Sequence, residues 1–227
     1  MTSVDTRIKK RSKAHQRYRL ADGTIVPGVT TILGVMAKPA LVKWANNLGL
    51  QGIDSASYVD ETARIGTLAH EMVQEYLGGP EWDRSAYTPE QVDLAENAAL
   101  SFYEWERQNI DSFNTILIEK QFVSETKRYG GTVDFYGDFN GQRWLVDFKT
   151  CKQLYPEHVY QTAAYWALLI EKGYRVDGVR ILRIGRSEDE GFDDKIIARE
   201  EIEDAYRVFE AALNLYRAKQ GFERRCK

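Results

Sequence analysis

The chain has 227 residues, of which 43% are apolar and 29% charged, and its formal net charge is −3. This length and apolar content suffice for one well-packed domain, and the small net charge argues against a surface that is basic all over. The two cysteines, Cys151 and Cys226, match no CxxC pattern, so neither a disulfide framework nor a zinc or iron–sulfur site is indicated.

The ends of the chain are basic, and no part of it is apolar enough to suggest a membrane span. The longest apolar run, residues 163–170, is well short of the roughly 18 to 20 residues that a transmembrane helix needs. We therefore expect a cytoplasmic protein with no membrane partner. An N-terminal arm, residues 1–19, has seven basic residues between Arg7 and Arg19 and no acidic residue among them. Such arms are usually solvated tails and otherwise contact phosphates.

The first half of the chain is predicted to be mainly helical after a short hairpin. Asp22-Gly23 indicates the hairpin turn, and the chain then continues extended through Pro27-Gly28 into an apolar stretch. Three helices are predicted next: one after Pro39, one over residues 61–77, and one over residues 89–109 behind the capping box at Thr88. We expect this segment, residues 39–110, to form a helical roof over a sheet.

The second half changes from helical to strand periodicity. Strands are predicted over residues 115–123, 129–139, 142–150, 177–184 and 194–199, with helices over residues 157–172 and from residue 200 onward. This order predicts a single α/β domain over residues 1–227. Its core, residues 115–199, is a central mixed β-sheet flanked by helices, followed by a C-terminal helix and basic tail over residues 200–227. No P-loop occurs, so no nucleotide cofactor is expected.

A hairpin with a defined register is predicted around Asn140-Gly141. This dipeptide is favoured in two-residue turns, where both residues need a positive φ. With this turn, Asp134 faces Asp147, and Thr132 faces Lys149 on the same side of the sheet. The opposite side is predicted to point into the core with four apolar residues: Val133, Phe135, Val146 and Phe148.

Two facing aspartates point to a metal site. Carboxylates at roughly 5 Å between Cβ atoms repel each other, and a divalent cation would offset that repulsion. Because Mg²⁺ and Mn²⁺ bind carboxylate and phosphate oxygens, the pair suits phosphodiester hydrolysis with one or two such ions. We therefore predict Asp134, Asp147 and Lys149 as catalytic residues. The alternative is that Lys149 only neutralises an aspartate pair on a solvated sheet face.

Other polar residues are candidates for a role in the same site. His70 lies at the edge of an apolar helix stripe, either as a metal ligand or as a boundary histidine. Glu119 is an acidic residue within an apolar strand, either a metal-linked group or a salt-bridge partner. Lys127 and Arg128 lie in a predicted turn and are candidate phosphate contacts. The alternative is that they belong to an ordinary solvated turn.

Gln161 and Tyr165 are four residues apart on a predicted helix and therefore share one of its faces. An amide beside an aromatic ring can hold a phosphate or a base edge while the ring stacks on a base. The alternative for Tyr165 is core packing.

Five motifs occur in an order that resembles the RecB-like branch of the PD-(D/E)XK nuclease superfamily. They are GTxxH from Gly66 to His70, the isolated Glu119, GxxD ending at Asp134, DFKT with Asp147 and Lys149, and QxxxY at Gln161 and Tyr165. The stretch VPGVTTIL, which includes Thr30 and Thr31, also resembles phage and prophage exonucleases and the mitochondrial genome-maintenance exonuclease. The resemblance covers roughly residues 18–185.

The resemblance implies a restriction-endonuclease-like core and a role for each matching residue. The implied metal ligands are His70, Asp134, Asp147 and the backbone carbonyl of Phe148, and Lys149 is the implied catalytic lysine. The implied DNA-binding residues are Gln161, Tyr165, Thr30 and Thr31. Two positions depart from the pattern: Gly28 stands where serine is usual, and Asp147 where many relatives have glutamate. The chain also lacks the four cysteines that hold the iron–sulfur cluster of some relatives.

The resulting hypothesis is a Mg²⁺- or Mn²⁺-dependent DNA exonuclease that acts on single-stranded DNA or frayed ends in phage or prophage recombination, replication or repair. Besides DNA, a recombination or single-strand-binding protein is a candidate partner. One alternative is a non-catalytic DNA-binding or recombination-assembly module with the same fold. Another is a glycosidase, but two facing carboxylates would lie too close together for an intervening sugar.

Overall fold

A computed structural model describes residues 17–226 of the chain. These residues form seven strands and six α-helices. The strands are β1 (Tyr18–Arg19), β2 (Ile25–Val26), β3 (Phe113–Ser124), β4 (Tyr129–Phe139), β5 (Gln142–Lys149), β6 (Gly178–Ile184) and β7 (Phe192–Ile197). The helices are α1 (Val29–Leu33), α2 (Pro39–Leu50), α3 (Ser55–Tyr76), α4 (Pro89–Asn109), α5 (Pro156–Glu171) and α6 (Arg199–Arg225).

The central sheet has five strands in the order β3-β4-β5-β6-β7. Its neighbouring strands are antiparallel except for β5 and β6, which are parallel. A parallel pair needs a crossover connection, and α5 provides it. The predicted α/β class with a mixed sheet flanked by helices is therefore confirmed.

Apolar residues pack on both faces of the sheet. On one face, α3 and α4 contribute Leu68, Val73, Phe102 and Trp105 to a core that also contains Phe135. The core on the other face is built from α1, α5 and α6 together with sheet residues. Both faces are covered because each strand has apolar residues on its two sides, as buried sheets require.

Most of the predicted elements are confirmed to within a few residues. The third predicted helix begins at Pro89 behind a capping box formed by Thr88 and Gln91. Two differences have local causes. α3 begins at Ser55 instead of residue 61 because Asp54 caps it by accepting the Ser57 N–H at 2.8 Å. The apolar stretch after Gly28 forms the short helix α1, which no periodicity could indicate over five residues.

The predicted turn and register of the β4–β5 hairpin are confirmed as far as the two strands pair. Asn140 and Gly141 have φ values of +53° and +80°. Pairing extends from Phe139↔Gln142 to Phe135↔Val146 and ends one residue before the predicted partners Asp134 and Asp147.

The predicted side-chain faces of this hairpin are correct with one exception. Phe135, Val146 and Phe148 share the core with α3 and α4, as predicted. Val133 was predicted to join them, which is wrong, because it packs in the core with α5 and α6. The side chains of β4 thus do not keep their regular alternation between the two faces of the sheet at Asp134. This residue has no regular pairing partner in β3 or in β5.

No helix within residues 17–226 is both long and apolar enough to cross a membrane. The greater part of the predicted basic arm, residues 1–16, lies outside the described residues.

Candidate active site

Three ligand-bearing side chains from three different elements converge beside the sheet. They are His70 of α3, Glu119 of β3 and Asp134 of β4, and their ligand atoms lie within 4.8 Å of one another. His70 Nδ1 and Asp134 Oδ2 are 3.9 Å apart. All three residues are partly exposed. An imidazole and two carboxylates at this spacing form a donor set that divalent cations accept.

Glu119 reaches this cluster through an irregular backbone. Its φ is +46°, a left-handed conformation that a residue with a Cβ rarely adopts. Regular pairing of β3 with β4 includes Ile118↔Phe135 and Lys120↔Val133, on either side of Glu119. Gln74 of α3 donates its amide to Glu119 Oε1 at 2.7 Å. Strain of this kind is commonly found at functional sites.

Asp134 lies where β4 and β5 separate. The backbone N–H of Phe148 donates to its Oδ2 at 3.0 Å. Phe148 therefore contacts the cluster through its N–H, whereas the family resemblance implies a role for its carbonyl. An N–H donor of this kind fixes the orientation of the carboxylate.

Asp147 and Lys149 form a buried ion pair next to the cluster. The Lys149 ammonium contacts Asp147 Oδ2, and the Asp147 side chain is only 1% exposed. Within residues 17–226, neither oxygen of Asp147 accepts a hydrogen bond of regular geometry. Asp147 is therefore not one of the three clustered ligand groups, although it was predicted to bind the same metal as His70 and Asp134.

The ionisation of this pair follows from burial and from the neighbouring charges. The pKa of Asp147 is raised to about 6, chiefly by burial and also by the charge of Asp134, while Lys149 opposes the shift. Burial lowers the pKa of Lys149, but the carboxylates of Asp147 and Asp134 outweigh it, so the pKa lies above its ordinary value. Lys149 thus remains a cation, and Asp134 and Asp147 are close enough to repel each other.

Two consecutive glycines of β4 make room for two tyrosines that flank the cluster. A Cβ on Gly130 would lie 2.3 Å from the Tyr18 ring, and a Cβ on Gly131 would lie 2.6 Å from the Tyr165 ring. Tyr18 shares a hydrogen bond of 3.0 Å with the hydroxyl of Thr132. Sequence reasoning did not identify Tyr18, and the glycine pair was the signal that something must approach β4 closely.

The predicted DNA-binding residues are distributed unequally around the site. Gln161 donates to the Tyr165 hydroxyl at 2.7 Å, and Tyr165 is buried, so core packing describes its ring better than stacking on a base. Gln161 and Thr30 line a cavity of about 670 Å³ that also reaches His70. Thr31 is exposed on α1.

Lys127 and Arg128 are located in the turn before β4 and do not line this cavity. The Lys127 ammonium forms an ion pair with Glu210 of α6 at 2.6 Å. Arg128 is exposed with a φ of +50°. The predicted phosphate contact of Lys127 would therefore have to compete with an existing carboxylate partner.

Gln74 is a further site residue that sequence reasoning missed. It is buried, with 4% of its surface exposed, and it orients Glu119. It lies four residues after His70, which places both on one helix face. An amide at that spacing from a candidate ligand was the available signal.

Fold and site together define an α/β protein with a five-stranded mixed sheet and a histidine–carboxylate cluster beside a buried aspartate–lysine pair. No family model matches the chain, and no curated protein matches it. The chain is similar to the solved structure titled "Crystal structure of SSO0001", with 12% sequence identity and a TM-score of 0.30. The match covers 66% of this chain and 85% of that one.

Proposed function

We propose that the chain is a divalent-metal-dependent deoxyribonuclease with a restriction-endonuclease-like core of the PD-(D/E)XK type. The proposal rests on one observation: Asp147 and Lys149, a buried ion pair at the end of β5, lie beside the His70–Glu119–Asp134 cluster. The electrostatic influence of Asp134 and His70 on Asp147 reflects this closeness.

The residues present fit Mg²⁺ or Mn²⁺. The ligand atoms of His70, Asp134 and Glu119 lie within 4.8 Å of one another, a spacing at which they could bind one ion together. Asp147 Oδ2 contacts the Lys149 ammonium, whereas its buried Oδ1 has no hydrogen-bond partner within residues 17–226 and is an unsatisfied acceptor close to these ligands. Such an ion would supply Lewis-acid polarisation of a phosphate and of an attacking water.

The chain's own residues have distinct roles in this proposal. Asp134 is held by the Phe148 N–H, and Glu119 by Gln74, so both carboxylates are oriented in advance. Lys149 is cationic and would stabilise negative charge that develops on the phosphate. Its partner Asp147 keeps that ammonium at the end of β5. The presence of Asp134, Asp147 and Lys149 together argues against the alternative of a non-catalytic DNA-binding or assembly module.

DNA is the proposed substrate, and a recombination or single-strand-binding protein is the proposed further partner. An exonuclease acting on single-stranded or frayed ends remains our proposal for the mode of cutting. A cytoplasmic setting in a bacterial or phage-infected cell accords with this role.

The proposal is tested by a nuclease assay on labelled single- and double-stranded DNA with and without Mg²⁺ or Mn²⁺. We expect cutting by the wild type only with metal, and a loss of about 100-fold or more in Asp147→Ala and Lys149→Ala, because the first removes the carboxylate that positions the ammonium and the second removes the ammonium itself. Asp193→Ala, which removes an exposed carboxylate from β7, is the matched control and should cut normally. Metal-independent cutting, or full activity in both site variants, would refute the proposal.

A further inference from the structure

The cavity next to the cluster has an uncharged and partly aromatic lining. Its volume is about 670 Å³, which is in the range of small-molecule sites. The cavity has twelve lining residues, which include Trp44, Tyr58, His70 and Gln161. None of the twelve is Asp, Glu, Lys or Arg. A charged group such as a phosphate therefore has no ionic partner in the cavity itself.

Two aromatic side chains, from α2 and α3, form one wall of this cavity. The rings of Trp44 and Tyr58 meet edge to face, with centroids 5.8 Å apart and planes at 65°. In such a contact at least one ring face lacks a stacked partner. Tyr58 is 41% exposed, and the adjacent Val59 is 49% exposed. This apolar surface is exposed to solvent, and a bound ligand would cover it.

The helix that carries Trp44 contributes no buried residue to the core. The apolar residues of α2 are thus not explained by packing within the described chain. Trp44 is only partly buried. A bound molecule could therefore contact this large ring without disturbing the core.

The cavity is continuous with the candidate active site. His70 belongs both to the cavity lining and to the metal-ligand cluster. At the inner end, α3 approaches the end of β5 so closely that a Cβ on Gly66 would lie 2.7 Å from the Thr150 hydroxyl. A molecule whose charged part lies at the cluster would therefore extend its uncharged part along the cavity toward Trp44 and Tyr58.

We infer that this cavity binds an unpaired nucleobase of the DNA strand, stacked on the Trp44–Tyr58 pair, while its phosphate lies at the His70–Glu119–Asp134 cluster. The inference rests on the proposed function, since it assigns the strand's phosphate to that cluster. A nucleobase is flat and uncharged, as the lining demands, and base–aromatic stacking tolerates every base. A base inside a duplex exposes its edges but not its faces, so the site selects single-stranded or frayed DNA.

The test is a binding cycle in Ca²⁺ with Mg²⁺ and Mn²⁺ removed, so that a divalent cation can occupy the cluster without the ions to which the proposed function assigns cutting. The probes are internally labelled oligothymidylates whose terminal three nucleotides, at either the 5′ or the 3′ end, carry normal bases or abasic sugars. Binding of the full chain and its variants is measured by fluorescence anisotropy. We expect Trp44→Ala to weaken binding of the intact probe by about 5- to 150-fold, the range for one stacked base, and Trp44→Phe to retain most of the affinity.

The abasic probes distinguish stacking from a general defect. For the end that enters the cavity, the abasic probe should bind wild type and Trp44→Ala equally weakly, because each change removes the same contact. Trp82→Ala is the matched control, since Trp82 contacts Tyr87 at the same interplanar angle of 65° but outside the cavity. It should bind both probes like the wild type.

Two results would overturn the inference. One is an equal loss of affinity for intact and abasic probes in Trp44→Ala, and the other is no loss for any probe. Cutting of the intact probe by the wild type with Mn²⁺ is measured separately. Failure to cut refutes the proposed function whatever the binding cycle shows, whereas cutting without a base-dependent effect of Trp44 refutes only the cavity assignment.

Discussion

Glu119 combines a left-handed φ of +46° with a position inside a strand. Such a conformation costs of order 1–3 kcal/mol and persists only where neighbouring contacts impose it. The contact here is the amide of Gln74, which holds the carboxylate towards His70 and Asp134. Glu119 thereby belongs to the ligand cluster itself, where the sequence indicated only a metal-linked residue or a salt-bridge partner.

His70 provides the sharpest test of the cluster as a metal site. We expect Mn²⁺ to raise the Tm of the wild type, since a ligand that binds the folded state stabilises it. His70→Ala should reduce the metal affinity by about tenfold or more because it removes one ligand, so that more Mn²⁺ is needed for the same rise in Tm. The measurement is a thermal unfolding series over a range of Mn²⁺ concentrations.

The matched control for that series is Glu71→Ala. Glu71 is the next residue of α3, but its carboxylate accepts the Tyr87 hydroxyl at 2.8 Å and so lies outside the cluster. Its metal titration should match that of the wild type. If His70→Ala titrates like Glu71→Ala, His70 is a boundary histidine and not a ligand.

Among the elements, the β1–β2 hairpin approaches the sheet closely at Gly130. The Gly130 N–H donates to the Pro27 carbonyl at 3.0 Å, and Tyr18 lies directly over Gly130. The hairpin thereby places the Tyr18 hydroxyl against Thr132, two residues before Asp134. The short N-terminal hairpin that the sequence predicts thus becomes part of the wall of the site.

Gly130→Ala should destabilise the protein by about 1–3 kcal/mol, the usual effect of overpacking a tight contact. The new Cβ would lie 2.3–2.6 Å from three atoms of Tyr18, one of which is the Cβ of Tyr18. Because these atoms are close to the backbone of Tyr18, a rotation at the end of the side chain cannot relieve the clash. Chemical denaturation measures the change in the free energy of unfolding.

Gly221→Ala in α6 is the control for this substitution, because nothing lies within 4 Å of the Cβ it adds. There the exchange should be neutral or stabilising by up to about 1 kcal/mol, since alanine is the better helix former. Equal stabilities of the two variants would show that Tyr18 does not pack on Gly130.

Elements and hairpin register could be read from the sequence largely because their signals are local. The capping box at Thr88 and the turn at Asn140-Gly141 each fix a boundary with a few residues. Val133 was misplaced because strict alternation was extended through Asp134, beside the irregular Glu119. Glu119 is hydrogen-bonded to Gln74 of α3, a tertiary contact that no local pattern encodes.

At the scale of the whole molecule, the two covered faces of the sheet leave the candidate site at the position where β4 and β5 separate. His70 and Gln74 come to it from one face on α3, and Gln161 and Tyr165 from the other on α5. A divalent cation and a DNA strand would thus be enclosed by elements from both layers.

The basic N-terminal arm should add affinity for DNA without adding specificity. Residues 1–16 contain five of the arm's basic residues, Arg7, Lys9, Lys10, Arg11 and Lys13. Each phosphate contact contributes about 0.7 to the slope of log affinity against log salt for single strands. Deleting residues 1–16 should therefore lower that slope by about 1–3, as measured by anisotropy over a range of salt concentrations.

Metal-dependent cutting of a short substrate at low salt should change little in the same deletion, because none of the described site residues is removed. An unchanged salt slope would show that the arm does not contact phosphates. A double variant that keeps residues 1–16 but carries Lys219→Ala and Arg224→Ala reports separately on the basic tail.

The sequence by itself determined the order of helices and strands, the mixed α/β class, and the place of Asp134, Asp147 and Lys149 on one hairpin, since periodicity, caps and turns act over a few residues. Tertiary structure alone decided that His70 and Glu119 meet Asp134 while Asp147 turns to Lys149. It also decided that Trp44 and Tyr58 border the same cavity as His70. Those contacts join residues far apart in the chain, and their geometry depends on how whole helices pack against the sheet.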